Sequence, residues 1–167
     1  MSSVWSPQFV FAACQRGAEL ALKKECAVRL ENARPAFSRP GFVTFKLDRP
    51  CPTPEKFQFP GALARTYGFC LGKVQGDHLQ TLAEQSWQLP EVQEFLAAYP
   101  IDNLHVWQRD ADLPGKHGFE PGMTPLAEEA EAALRTQSPL ENLHADETVG
   151  RTSSRRNRWV LDVAMIE

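Results

Sequence analysis

The run Phe9-Val-Phe-Ala-Ala-Cys14 is apolar at all six positions, and only Gln15-Arg16-Gly17 separates it from a stretch of a different period. A short unbroken apolar run reads as a strand buried on both faces. From Ala18 to Leu30 the apolar positions Leu22, Cys26 and Leu30 recur every fourth residue, which is one face of a helix. A buried strand feeding an amphipathic helix demands further strands for the helix to cover. Pro35-Ala-Phe-Ser38 reads as the next strand, Arg39-Pro40-Gly41 as a turn, and Phe42–Leu47 as the partner that closes a hairpin. Pro50, Pro52 and Pro54 mark a surface connection. Gly61–Tyr67 then predicts a short helix and Phe69–Val74 a fourth strand. The order β-α-β-β-α-β makes the expected class α+β, with a ferredoxin-like domain over residues 1–76.

The rest of the chain follows another plan. His78–Gln88 and Pro90–Tyr99 read as helices, with Pro90 at a first helical position. Leu104–Trp107 is strand-like, and 109–122 is a glycine- and proline-bearing loop. Thr124 is an N-cap ahead of Pro125 in a helix reaching about Thr136, with Glu128, Glu129 and Glu131 near its positive end. Trp159–Ile166 is a strand, so strand, helix and strand fit a βαβ crossover with parallel strands. Residues 77–167 form the expected second, small α/β domain.

The two parts carry opposite charge. Residues 1–76 hold 11 Lys/Arg against 5 Asp/Glu, whereas residues 77–167 hold 7 against 16, beneath a net charge of only −3. Four of the second part's seven cations are Arg151, Arg155, Arg156 and Arg158, directly before the last apolar strand. Guanidinium forks suit phosphate, and Thr152, Ser153, Ser154 and Asn157 add neutral donors. The expected partner is a polyanion that meets the first part and this loop and avoids the acidic middle. Arg39, beside its turn, and Lys116, in the glycine-bearing loop, are further candidates for phosphate contact. A solvated linker is the plain alternative for the arginine run. Trp107 and Trp159 are read as core residues rather than base-stacking ones.

Phe9–Cys14, Ala36-Phe-Ser-Arg-Pro-Gly-Phe-Val-Thr-Phe45 and His105-Val-Trp-Gln-Arg-Asp110 resemble the amino-terminal region of bacterial FtsJ-like, S-adenosylmethionine-dependent methyltransferases, in particular those similar to the large-subunit ribosomal RNA ribose 2′-O-methyltransferase. In that family a ferredoxin-like domain precedes a THUMP domain, an RNA-binding α/β module, and the methyltransferase domain comes last. The resemblance implies that residues 77–167 are THUMP-like, with the arginine-rich loop and its strand as a late THUMP element. It also implies structured RNA, ribosomal in the family, as partner, together with a carboxy-terminal methyltransferase domain of the same polypeptide. The implied cofactor of the parent enzyme is S-adenosylmethionine, with no cofactor in this fragment. A methyltransferase domain does not fit in 167 residues beside two small domains. The chain therefore reads as an amino-terminal fragment that positions RNA without catalysing.

Other motifs add little. Asp110-Ala-Asp-Leu-Pro-Gly115 follows a strand, but Asp112 and Leu113 stand where a nucleotide-cradling turn needs small residues, Lys116 follows and no helix starts promptly, so a plain loop is preferred. Gln15-Arg16-Gly17 at a helix start could bind an anion, but a glycine turn with a solvated arginine is preferred, and an acyl-phosphate-processing site on Arg16 is a minor alternative. His78, His105, His117 and His144 show no zinc spacing. Cys14, Cys26 and Cys70 sit in apolar segments and point to a reducing cytoplasm. No apolar stretch nears the roughly 20 residues a membrane helix needs, and the first residues lack a signal-peptide pattern. The rival reading is a protein-interaction or dimerisation module pairing through an exposed Phe42–Leu47 strand.

Overall fold

β1 (Phe9–Cys14) lies inside a four-stranded antiparallel sheet, between β3 (Phe42–Leu47) and β4 (Ala64–Phe69), and β2 (Ala33–Arg39) lies outside β3. The computed structural model describes residues 5–108, 124–141, 143 and 159–166, and within them the chain is a mixed α+β structure. Helix α1 (Glu19–Arg29) buries Leu22 and Cys26, as their spacing requires, and leaves Leu20 and Val28 in solvent. These two side chains pack with Val10, Ala12 and Cys14 of β1, Val43, Phe45 and Leu47 of β3, and Phe59. Full burial of a side chain such as Leu22 stabilises by about 1.5–3 kcal/mol.

Between β3 and β4 the structure departs from the predicted order. Residues 61–67 form no helix; Ala64 onward is already β4, and the strand expected over 69–74 contributes only Phe69. The connection is irregular apart from a 3-10 turn at Pro54–Lys56. Phe57 and Phe59 fill the space that a second helix would cover. Glu25 of α1 holds the connection by accepting the N–H groups of Ala62 (3.0 Å) and Leu63 (3.3 Å). Pairing with β1 decides the conformation of β4. Gly68 stands opposite Phe11, and a Cβ there would lie 2.8 Å from Phe11 Cε1, so this approach needs glycine.

Helices α2 (Leu79–Gln88), α3 (Pro90–Ala98) and α4 (Pro125–Thr136) share a buried cluster with β5 (Ile101–Gln108) and β6 (Trp159–Met165), which pair in parallel as predicted. Thr124 caps α4 by accepting the Ala127 N–H at 3.2 Å. Ala127, Ala130, Ala133 and Leu134 form the buried face of α4 and pack with Ala83 and Trp87 of α2 and Leu104 and Val106 of β5. Trp87 Nε1 donates to the Leu134 carbonyl at 2.9 Å, tying α2 to α4. Most buried side chains thus fall into two clusters; Phe69 packs on the first and Leu71, two residues on, packs on the second. Trp5 packs beside Phe69 at 5.6 Å and within a separate aromatic group, its ring 4.9 Å from Phe95 and 5.8 Å from Trp159.

Candidate nucleic-acid interface

Paired residues of an antiparallel sheet share a face, so the register fixes what lies opposite α1. Phe9, Phe11 and Ala13 of β1 stand beside Lys46, Thr44 and Phe42 of β3. Those in turn stand beside Arg34, Phe37 and Arg39 of β2. The register of β2 shifts between Pro35 and Phe37, leaving Ala36 without a partner. That bulge puts Arg34 on the same face as Phe37 and Arg39, which uninterrupted alternation would not do. Three cations therefore share the helix-free face with the aromatic side chains of β1 and β2.

Arg39, singled out in the sequence, lies with its guanidinium carbon 4.7 Å from the centre of the Phe37 ring and donates to the Ser38 carbonyl at 3.3 Å. Lys46 Nζ lies 5.6 Å from the centre of the Phe9 ring. Exposed contacts of this kind are worth about 0.5–1 kcal/mol. Arg34, Arg39 and Lys46 form no ion pair with a carboxylate among the described residues. Arg34 and Arg39 are exposed, while Lys46 and Phe37 are half-buried and Phe9 is 38% exposed. The centre of the face is closed. Phe11 and Phe42 stack at 5.6 Å, and Trp107 of β5 lies 6.4 and 6.5 Å from them, leaving each less than a tenth exposed. Trp107 and Trp159 pack against other rings but are half-buried, and neither belongs to the two buried clusters.

Arg151, Arg155, Arg156, Arg158 and Lys116 lie outside the described residues, as does Asp110–Gly115. Arg39 is thus the one predicted contact the structure places, and it stands with Arg34, Lys46, Phe9 and Phe37, which the sequence reading passed over. The strand expected to pair by its edge, Phe42–Leu47, is hydrogen-bonded on both sides, by β1 and β2, so that edge is not free.

The anion turn at the start of α1 is already filled. Glu19 accepts the Gly17 N–H with both carboxylate oxygens (3.0 and 3.1 Å) and the Gly41 N–H at 2.5 Å. Burial alone would raise this carboxyl, but the Gly41 and Gly17 donors outweigh it and hold Glu19 below its usual range. A carboxylate there repels a second anion, which removes the physical basis for acyl-phosphate chemistry on Arg16.

On the second sheet, His105 Nδ1 donates to Asp162 Oδ1 across β5 and β6 at 2.7 Å. That hydrogen bond raises the imidazole above its usual range against the opposing effect of burial. Among the described residues no group of three or more His, Cys, Asp or Glu could hold a metal ion. The four cysteines are free thiols; burial pushes Cys26 up to about 11 and Cys70 up to about 12. No helix among the described residues is long and apolar enough to cross a membrane. Compared with known proteins, the chain matches no family model, no curated protein and no solved structure.

Proposed function

We propose that this chain binds RNA and positions it as the amino-terminal region of an S-adenosylmethionine-dependent ribosomal RNA ribose methyltransferase, without catalysing methyl transfer itself. The observation that carries the RNA-binding part is the alignment of Arg34, Lys46 and Arg39 on one sheet face with no carboxylate partner among the described residues. Cations so placed meet phosphate without first breaking an ion pair, and such contacts orient RNA without reading its sequence. The charge surplus of residues 1–76 acts in the same direction. The strand order β2-β3-β1-β4 supports a ferredoxin-like first part lacking its second helix. The crossover β5-α4-β6 supports a THUMP-like second part. The methyltransferase assignment, its cofactor, the ribosomal target and a cytoplasmic location rest on the resemblance of Phe9–Cys14, Ala36–Phe45 and His105–Asp110 to that family.

The test is a fluorescence-anisotropy titration of the chain with a labelled ribosomal RNA hairpin across a salt series. Binding should weaken steeply with salt. Arg39→Ala with Lys46→Ala should flatten the logarithmic salt slope by about 0.7–0.9 per contact removed. Arg155→Ala with Arg156→Ala tests the carboxy-terminal loop by the same measure. Salt-independent binding, or none, refutes the reading.

A second reading, a protein-interaction module, is favoured by β6, which pairs only with β5 among the described residues and is half-exposed and largely apolar. Light scattering on the same sample separates the two. A concentration-dependent dimer indifferent to RNA supports the second.

A further inference from the structure

Resting on the RNA-binding reading, we infer that the helix-free face of the first sheet is a stacking platform for unpaired nucleotides, with Phe9 and Phe37 as two base seats and Arg34, Arg39 and Lys46 as their phosphate clamps.

Phe9 extends the row Arg34–Lys46–Phe9, and Phe37 the row Phe37–Thr44–Phe11. β1 and β2 are separated by β3, so the two rings lie on strands about 10 Å apart. At that distance they cannot grip one base between them and serve as separate seats. Aromatic rings beside cations on an exposed sheet margin suit single strands, because every base has a face to stack and every linkage a phosphate to hold. A duplex offers no free base faces and would use only the cations.

Each seat is covered by its own clamp. Arg39 lies over Phe37 and Lys46 over Phe9. A base stacked on an aromatic ring is held more strongly than an exposed cation over the same ring. An arriving nucleotide therefore displaces the cation from the ring and offers it a phosphate instead. Arg34, opposite Lys46, is left facing a like charge until an anion comes between them. The central rings Phe11 and Phe42 take no part, because Trp107 covers them. The platform runs along the outer margin of the face, from the start of β1 to the end of β2.

The experiment compares a labelled RNA hairpin bearing a single-stranded oligouridine tail with the same hairpin lacking it, and with a DNA tail of matching length. The tail should tighten binding to the native chain, and a DNA tail should substitute in large part, since stacking and phosphate contacts ignore the sugar. Phe9→Ala and Phe37→Ala should each remove about fivefold or more of the tail's contribution and leave hairpin binding intact. Phe37→Trp should restore it. A tail that adds nothing, or alanine variants that bind the tail as the native chain does, overturns the platform while the RNA-binding reading stands. Failure of both hairpin and tail to bind overturns that reading itself. If the alanine variants do not fold, photocrosslinking of a bromouridine tail to the native chain decides. Crosslinks on β1 and β2 uphold the platform, and crosslinks confined elsewhere refute it.

Discussion

Arg34 and Lys46 stand directly opposite each other on neighbouring antiparallel strands, both on the face away from α1. Like charges in that relation cost a fold roughly 0.2–1 kcal/mol, and no carboxylate among the described residues offsets it. Arg34→Gln should therefore raise stability by up to about 0.5 kcal/mol in urea denaturation while weakening RNA binding. A variant that loses both stability and binding would place Arg34 in a structural role and remove it from the interface.

Glu19 ties three pieces together: the turn after β1, the first turn of α1 and the β2–β3 turn at Gly41. Glu19→Gln keeps the shape but weakens two charge-assisted bonds at a half-buried site. Denaturation should show a loss of about 1 kcal/mol after allowance for solvent screening. The sign with pH is fixed by the direction of the shift. The folded carboxyl lies below the ordinary 4.5, so its stabilisation is present above that value and is lost as pH falls through the lower folded one. The variant should lack that part of the native chain's acid sensitivity. If the native and variant curves stay parallel from neutral pH into acid, the carboxylate's charge plays no part in holding the turn.

What the sequence made legible follows from how local each signal is. The apolar run of β1, the four-residue spacing on α1 and the Thr124-Pro125 start of α4 are complete within their own segments, and all three elements formed there. The segment 61–67 misled because Ala62, Leu63, Ala64 and Arg65 are good helix formers, whereas a vacant edge of β1 and a glycine opposite Phe11 drew it into the sheet. Arg39 was visible from its turn. Arg34, Lys46, Phe9 and Phe37 were not, since their common face depends on register and on the unpaired Ala36, neither of which any one segment encodes.

The His105–Asp162 pair predicts a pH dependence of opposite sign to that of Glu19. The hydrogen bond that His105 donates to Asp162 raises the folded imidazole above 6.5, with Glu131 of α4 adding a smaller attraction. Its contribution is complete below that unfolded value and disappears as pH rises through the elevated folded one. The thermal midpoint of the native chain should therefore fall over that window, and the fall should be absent in His105→Gln. Proton NMR of the His105 ring tests the same point directly, and a midpoint at or below the ordinary imidazole value contradicts it.

Two tryptophans give an internal comparison of what a buried N–H costs. Trp87 Nε1 donates to Leu134 at 2.9 Å, whereas Trp107 Nε1 is buried with no hydrogen-bond partner among the described residues. Replacing Trp87 by Phe removes a donor and strands the Leu134 carbonyl at the end of α4, in addition to opening space in the second core. Replacing Trp107 by Phe removes a donor that was already unsatisfied, a liability of about 1–3 kcal/mol, which offsets the lost packing against Phe11 and Phe42. Trp87→Phe should therefore destabilise by about 2–4 kcal/mol and Trp107→Phe by under about 1 kcal/mol, read from paired urea titrations. Equal losses would mean that Trp107 Nε1 has a partner in solution, and the asymmetry argued from burial would then be void.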